Sequence, residues 1–383
     1  MIIFEKDHLG RTVVEIVFDK AGSIYAKEGV AYFISHILNT KGTLEKKEKF
    51  YSYTEQDAIE FNTSVNREFF TVSVKFLNSK KNKALNLLKE LLINPNINEE
   101  SFKKSKKEIS AKIQSKKNDN DYIAGSNLFK NIFKNTPLAK PVIGNNIEKI
   151  TLEDLKTFYN ALFEKEWTLI NGGEKTDLEK ITGMFYPVKQ DTLSFSPEKQ
   201  DTIYKYKNVE QSYIHFASPF NIDYNKELYL AKTATFILGA GGFGSRMMEE
   251  IRVKRGYAYS AYASNAFRKS YKLLSGYLQT KLENTKDAVE LVKELIYVFQ
   301  TKGVTAEELE QAKQFLIGSE PLRNETLSQR LLKKFNEHYL ELPENYYEKE
   351  LSLIQDISLE EINSFIKNHP EVNDITFSIV TKE

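Results

Sequence analysis

The chain has 383 residues, enough for two or three domains, and its 41% hydrophobic and 28% charged side chains are ordinary for a soluble globular protein. The 54 basic and 53 acidic residues leave a formal charge of +1, so no global field recruits nucleic acid or an anionic membrane. Cysteine is absent, which excludes disulfides, thiol nucleophiles and Cys-based metal sites.

No apolar run approaches the ~18 residues of a membrane span. The start, Met1-Ile2-Ile3-Phe4-Glu5-Lys6-Asp7, lacks the basic beginning and apolar core of a signal peptide. As written the chain reads as cytoplasmic; a periplasmic chain trimmed of its leader would read the same.

Residues 3–4 and 12–18 read as strands, the second with Val13, Glu15, Val17 and Val14, Ile16, Phe18 as alternating sets. After the turn at Ala21-Gly22-Ser23, residues 28–38 and 48–60 read as helices. Residues 61–65 and 68–77 form a predicted hairpin with Phe70, Val72, Val74 and Phe76 on one face. Residues 78–92 are amphipathic at helical spacing, and Pro95 ends that helix. Asn98-Glu99-Glu100 caps a long helix to about Lys116, and Thr151-Leu152-Glu153-Asp154 caps another through Leu162. Residues 167–171 read as a closing strand. Residues 186–202, with Pro187 and Pro197 and no periodicity, read as a linker.

The second half repeats the first. Ala84 to Leu91 matches Ala288 to Leu295 at a constant offset of 204 (288 − 84 and 295 − 91), and the helix capped at Asn98 answers one capped at Thr305. An offset near half the chain means a duplicated domain. The predicted organisation is 1–185, a linker 186–202, and 203–383. The predicted fold is α+β: two homologous halves, each a mostly antiparallel sheet with helices on one face.

In the second half, Gly239, Gly241, Gly242 and Gly244 precede Ser245-Arg246-Met247-Met248-Glu249-Glu250-Ile251-Arg252-Val253-Lys254-Arg255-Gly256-Tyr257-Ala258-Tyr259. This reads as a helix stopped by Gly256 and followed by a Tyr-rich strand, an arrangement that can bring the Arg252 guanidinium beside the Tyr259 phenol. The glycines lack the Gly-Lys-Ser/Thr ending of a phosphate loop. The block resembles the signature in the C-terminal half of the M16 (insulinase and mitochondrial-processing-peptidase-like) zinc peptidases. The resemblance covers essentially the whole chain and implies a LuxS/MPP-like pair of halves around a clam-shaped chamber.

The family carries His-x-x-Glu-His on a helix of its first half, two zinc ligands and a general base. Here the matching frame is Gly29-Val30-Ala31-Tyr32-Phe33-Ile34-Ser35-His36-Ile37-Leu38. Tyr32 stands at the first ligand, Ser35 at the base and His36 at the second ligand. The family's third ligand, a Glu, aligns with Lys112, 112 − 36 = 76 positions on. A lone imidazole cannot hold catalytic zinc, which takes three protein ligands. The resemblance therefore implies an M16B-type subunit with no metal and no cofactor of its own. Its expected partner is an HxxEH-containing M16 chain holding zinc, in a heterodimer that acts on peptides or unfolded segments. Arg252 and Tyr259 would complete the partner's site, Arg252 on a substrate carbonyl and Tyr259 on the developing oxyanion. Asn62, Thr63, Ser64 and Val65 match the strand that pairs with substrate backbone in active relatives. A structural or peptide-holding role without peptidase chemistry is the alternative, and a stand-alone peptidase with a rearranged metal site is a third.

Overall fold

A computed structural model describes residues 1–44 and 49–383. The first half runs β1 (Ile2–Lys6), β2 (Arg11–Phe18), α1 (Val30–Lys41), α2 (Lys49–Gln56), β3 (Glu60–Val65) and β4 (Phe70–Leu77). It continues through α3 (Lys81–Ile93), α4 (Glu99–Lys116), α5 (Asn120–Ile132), α6 (Leu152–Leu162), β5 (Trp167–Gly173) and α7 (Glu179–Thr182). The second half runs β6 (Ile203–Tyr206), β7 (Gln211–Pro219), α8 (Tyr224–Thr235), β8 (Ala258–Phe267), β9 (Lys272–Lys281) and α9 (Thr285–Lys302). It ends with α10 (Ala306–Gly318), α11 (Glu320–Arg323), α12 (Leu327–Tyr339), α13 (Tyr346–Asp356), α14 (Leu359–Lys367) and β10 (Thr376–Thr381). Residue 48, placed at the start of a helix by the sequence, lies outside the described residues. Among the described residues no helix is long and apolar enough to cross a membrane.

Two compact units result, each α+β with a mixed five-stranded sheet. The strand orders are β1-β5-β2-β4-β3 and β6-β10-β7-β9-β8, and each sheet has a single parallel pair, β1 with β5 and β10 with β6. The closing strand expected at 167–171 is β5, which lies between β1 and β2. Period-2 patterning sets the faces. Val14, Ile16 and Phe18 of β2 join Val72 and Val74 of β4 in one core with α1 and α3. Ile214 and Phe216 of β7 do the same with Val292 and Ile296 of α9. Phe33 of α1, fully buried, stacks on Phe102 of α4 at 5.3 Å, and its truncation to Ala would cost about 3–5 kcal/mol. Capping boxes at Thr151/Asp154 and Thr305/Glu308 start α6 and α10.

Each unit borrows a helix from the other half of the sequence. Unit 1 comprises Met1–Lys116, Lys140–Thr192 and Asn324–Phe335; unit 2 comprises Lys117–Ala139, Leu193–Arg323 and Asn336–Glu383. In unit 1 most of α12 crosses the sheet face opposite the main helices. There a Cβ on Gly172 would sit 2.5 Å from Leu331 Cδ1, so the glycine lets the leucines of the helix lie close to the sheet. In unit 2, α5 crosses the corresponding face against β7 and β10. Helices α5, for which the sequence marks no element, and α12 begin 207 positions apart (327 − 120), the same separation as the helix caps at Asn98 and Thr305 (305 − 98) and close to the repeat offset of 204.

Candidate functional site

The unit 2 site is built on the segment from 236 to 267. Buried Met247 and Ile251 anchor a wide π-helical turn, Met248–Lys254, against β8. Such turns are rare and concentrate at functional sites. Gly256, at φ +64°, ends it and turns the chain directly into β8, which puts Tyr259 beside the helix end. The Arg252 guanidinium lies over the Tyr259 ring, 4.5 Å from its centroid, and over the Phe243 ring on another side at 4.6 Å. Both rings are largely exposed, Tyr259 at 82% and Phe243 at 66%.

The neighbouring cations differ. Glu250 takes Lys254 at 2.7 Å and Arg255 at 2.5 Å, and their hydrogen bonds hold its carboxyl below the usual range. Arg246 forks onto Glu308 at 2.5 and 2.7 Å and also donates to the Gly303 carbonyl at 2.8 Å. Burial alone would raise Glu308, but Arg246 and Thr305 bring it below the ordinary carboxylate range. Arg252 has no hydrogen-bond or ion-pair partner among the described residues, and neither does the Tyr259 hydroxyl. Two aromatic faces hold the guanidinium while its N–H groups stay unspent. Phe243 is not among the residues the sequence singles out, because nothing in its glycine-rich run states which way its ring turns.

In unit 1, α1 and α4 bring together the four positions aligned with the zinc motif. Lys112 Nζ donates to the Tyr32 hydroxyl at 2.6 Å. One turn away, His36 Nε2 lies 2.7 Å from Glu108 Oε2, and Lys41 Nζ meets the same carboxylate at 2.8 Å. Burial would raise Glu108, yet Lys41 and His36 together keep it below the usual range. An ammonium bonded to a phenol beside a carboxylate already shared by Lys41 and His36 does not fit a zinc ion. Among the described residues, no three His, Cys, Asp or Glu side chains are grouped to hold a metal.

Ser35, at the general-base position, is buried and turned to the β3 edge. Its hydroxyl donates to the Thr63 carbonyl at 2.9 Å, and the Thr63 hydroxyl donates back to the Ser35 carbonyl at 2.8 Å. Asn39 completes the contact: its amide nitrogen donates to the Thr63 carbonyl and its amide oxygen accepts from the Thr63 N–H, both at 2.7 Å. A side-chain amide thus takes both backbone groups that an added strand would use there. Of the four predicted substrate-strand residues, Asn62 and Ser64 instead face a cavity beneath α12, and Val65 packs beside the core.

Two α+β units of matching sheet order, one holding Tyr32, Ser35, His36 and Lys112 and the other Arg252 beside Tyr259, fit the class of M16 peptidase-like proteins. The model of insulinase (peptidase family M16) matches residues 1–146, and that of the peptidase M16 inactive domain matches residues 177–316. The chain is 39% identical to the non-peptidase homolog YmxG of Helicobacter pylori, over 100% of this chain and 92% of the relative. It is 21% identical to the uncharacterized zinc protease YmxG of Bacillus subtilis, over 96% and 92%. A crystal structure of a peptidase M16 inactive domain from Pseudomonas fluorescens shares the fold with a TM-score of 0.89 at 22% identity, covering 100% of this chain and 96% of that one. The chain belongs to the M16 peptidase family.

Proposed function

We propose that this chain is the non-catalytic subunit of a heterodimeric M16B zinc metallopeptidase. Its partner would be an M16 chain that carries the HxxEH motif and the zinc, which supplies the activated water when bound. This chain would contribute Arg252 and Tyr259 to the partner's site. The observation that carries this reading is the unpaired Arg252 fork, held between Phe243 and Tyr259 and ready for an acceptor. A structural arginine in the same segment, Arg246, is fully paired, so the open state of Arg252 is particular to it. Arg252 would anchor a carbonyl of an extended peptide or unfolded segment. The Tyr259 hydroxyl would donate to the carbonyl oxygen as it gains charge, a kind of contact worth about 2.7–4 kcal/mol where it has been removed from other sites. The non-peptidase name of the Helicobacter pylori relative is in keeping with the Tyr32–Lys112 pair, in which an ammonium is bonded to a phenol.

A structural or peptide-holding role without peptidase chemistry is the second reading. The Asn39–Thr63 pairing favours it, because at Thr63 the backbone groups an incoming strand would use are already bonded within this chain. Hydrolysis of an unstructured fluorogenic peptide separates the two. This chain, an HxxEH-bearing M16 chain from the same genome and their equimolar mixture would each be assayed with zinc. The heterodimer predicts activity well above the sum only in the mixture. No gain on mixing, with a complex still formed, supports the structural role.

A further inference from the structure

On the α12 side of the unit 1 sheet lies a cavity of about 330 Å³, near the lower end of small-ligand sites (about 300–1,000 Å³). Cross-strand register builds its floor. Asn62, Ser73, Glu15 and Ile170 lie abreast across β3, β4, β2 and β5, and Ser64, Thr71 and Val17 form the next row. The roof is α12, with Ser328, Leu331, Leu332 and Phe335.

Glu15 is the one ionisable group among the described lining residues. Its carboxylate has no hydrogen-bond or ion-pair partner among the described residues. Burial pushes its pKa up, and Lys75, further along β4, offsets this only in part. The side chains of Asn62, Ser64 and Thr71 likewise make no hydrogen bond among the described residues. A carboxylate placed on a sheet floor under leucines costs desolvation that Lys75 repays only in part. An anion would be repelled, and a neutral apolar guest would worsen the desolvation. An ammonium answers both: its three donors can be shared between Glu15 and the nearby hydroxyl and amide oxygens, while an aliphatic stem lies along Val17, Leu331 and Phe335.

We infer that this cavity binds an alkylammonium group, from a lysine side chain of an extended peptide or from a free aliphatic amine. The site is built wholly from unit 1 residues and does not rest on the peptidase-subunit reading.

Isothermal titration of the full chain with Ac-Ala-Ala-Lys-Ala-Ala-NH2, its norleucine counterpart and n-hexylamine tests this. The lysine peptide or the amine should bind at least about tenfold more tightly than the norleucine peptide. Glu15→Gln, which keeps the volume and removes the charge, should abolish that preference with the fold intact by circular dichroism. Ser328→Phe, which fills the cavity from the roof with Glu15 untouched, should abolish binding, and Arg252→Ala should change nothing. Binding of hexylamine as well as peptide assigns the cavity to free amines; binding of the peptide alone assigns it to a lysine side chain. Equal affinity for lysine and norleucine peptides, no binding by any probe, or unaltered binding by Glu15→Gln overturns the inference.

Discussion

Arg246 and Arg252 lie six residues apart and sit in opposite environments. Arg246 is mostly buried and spends its donors on Glu308 and Gly303. Arg246→Ala leaves Glu308 without its counter-charge and should lower the unfolding free energy by about 2 kcal/mol in urea titration. Arg252→Ala removes only stacking on exposed rings and should stay within about 0.5 kcal/mol of the parent. Equal losses would mean Arg252 is structural after all. Glu15 gives a second residue-scale expectation. Its carboxyl is raised in the folded chain, so folding retains its proton to higher pH than the unfolded chain does. Its contribution is therefore favourable at low pH and lost as pH rises through the folded-state pKa. Glu15→Gln should remove that fall, and its thermal midpoint should exceed the parent's at neutral pH while matching it more closely near pH 4. The Arg252/Tyr259 pair could be found in the sequence because Gly256 and the strand after it fix where both side chains go. Phe243 could not, since nothing in a glycine-rich run states which way its ring turns.

At the scale of elements, the edge of β3 shows what sequence spacing leaves open. The four residues 62–65 were legible as a strand, but its edge is decided by Asn39, one turn beyond His36 on α1. Asn39→Ala strips partners from the Thr63 N–H and C=O and should cost about 1–2 kcal/mol. Hydrogen exchange at the Thr63 amide should quicken relative to its neighbours in β4; unchanged protection would show that Ser35 alone holds the edge. The strands of the first sheet were readable from alternation and β8 from the Tyr-rich run after Gly256, whereas β6, β7 and β10 were not; α3, α4, α6 and α10 were readable from apolar spacing and caps. Helix α5 was not. Its buried residues are only Ala124, Leu128 and Ile132, a stripe one residue wide, because it lies on a sheet already packed from the other side. Gly125 at its middle weakens the helical signal, and the His215 ring comes within 3.3 Å of where a Cβ would be.

For the whole molecule, duplication is the organising fact. The constant offset gave two homologous α+β halves, but the exchange of α5 and α12 between units could not be read from it, since a repeat fixes which segments are alike and leaves open which sheet each one covers. One unit keeps the zinc-motif frame with Tyr32, Ser35 and Lys112 in the working positions; the other keeps Arg252 unpaired. The proposed role of assisting chemistry held by a partner rests on that division. The most direct test is kcat/KM for peptide hydrolysis by the two-chain mixture, with this chain as parent, Arg252→Ala or Tyr259→Phe, at concentrations where complex formation is complete. Losses of about 10²–10³-fold for each variant, with assembly unchanged, are the predicted result. Full activity in both variants would contradict the proposal that this chain reaches into its partner's site.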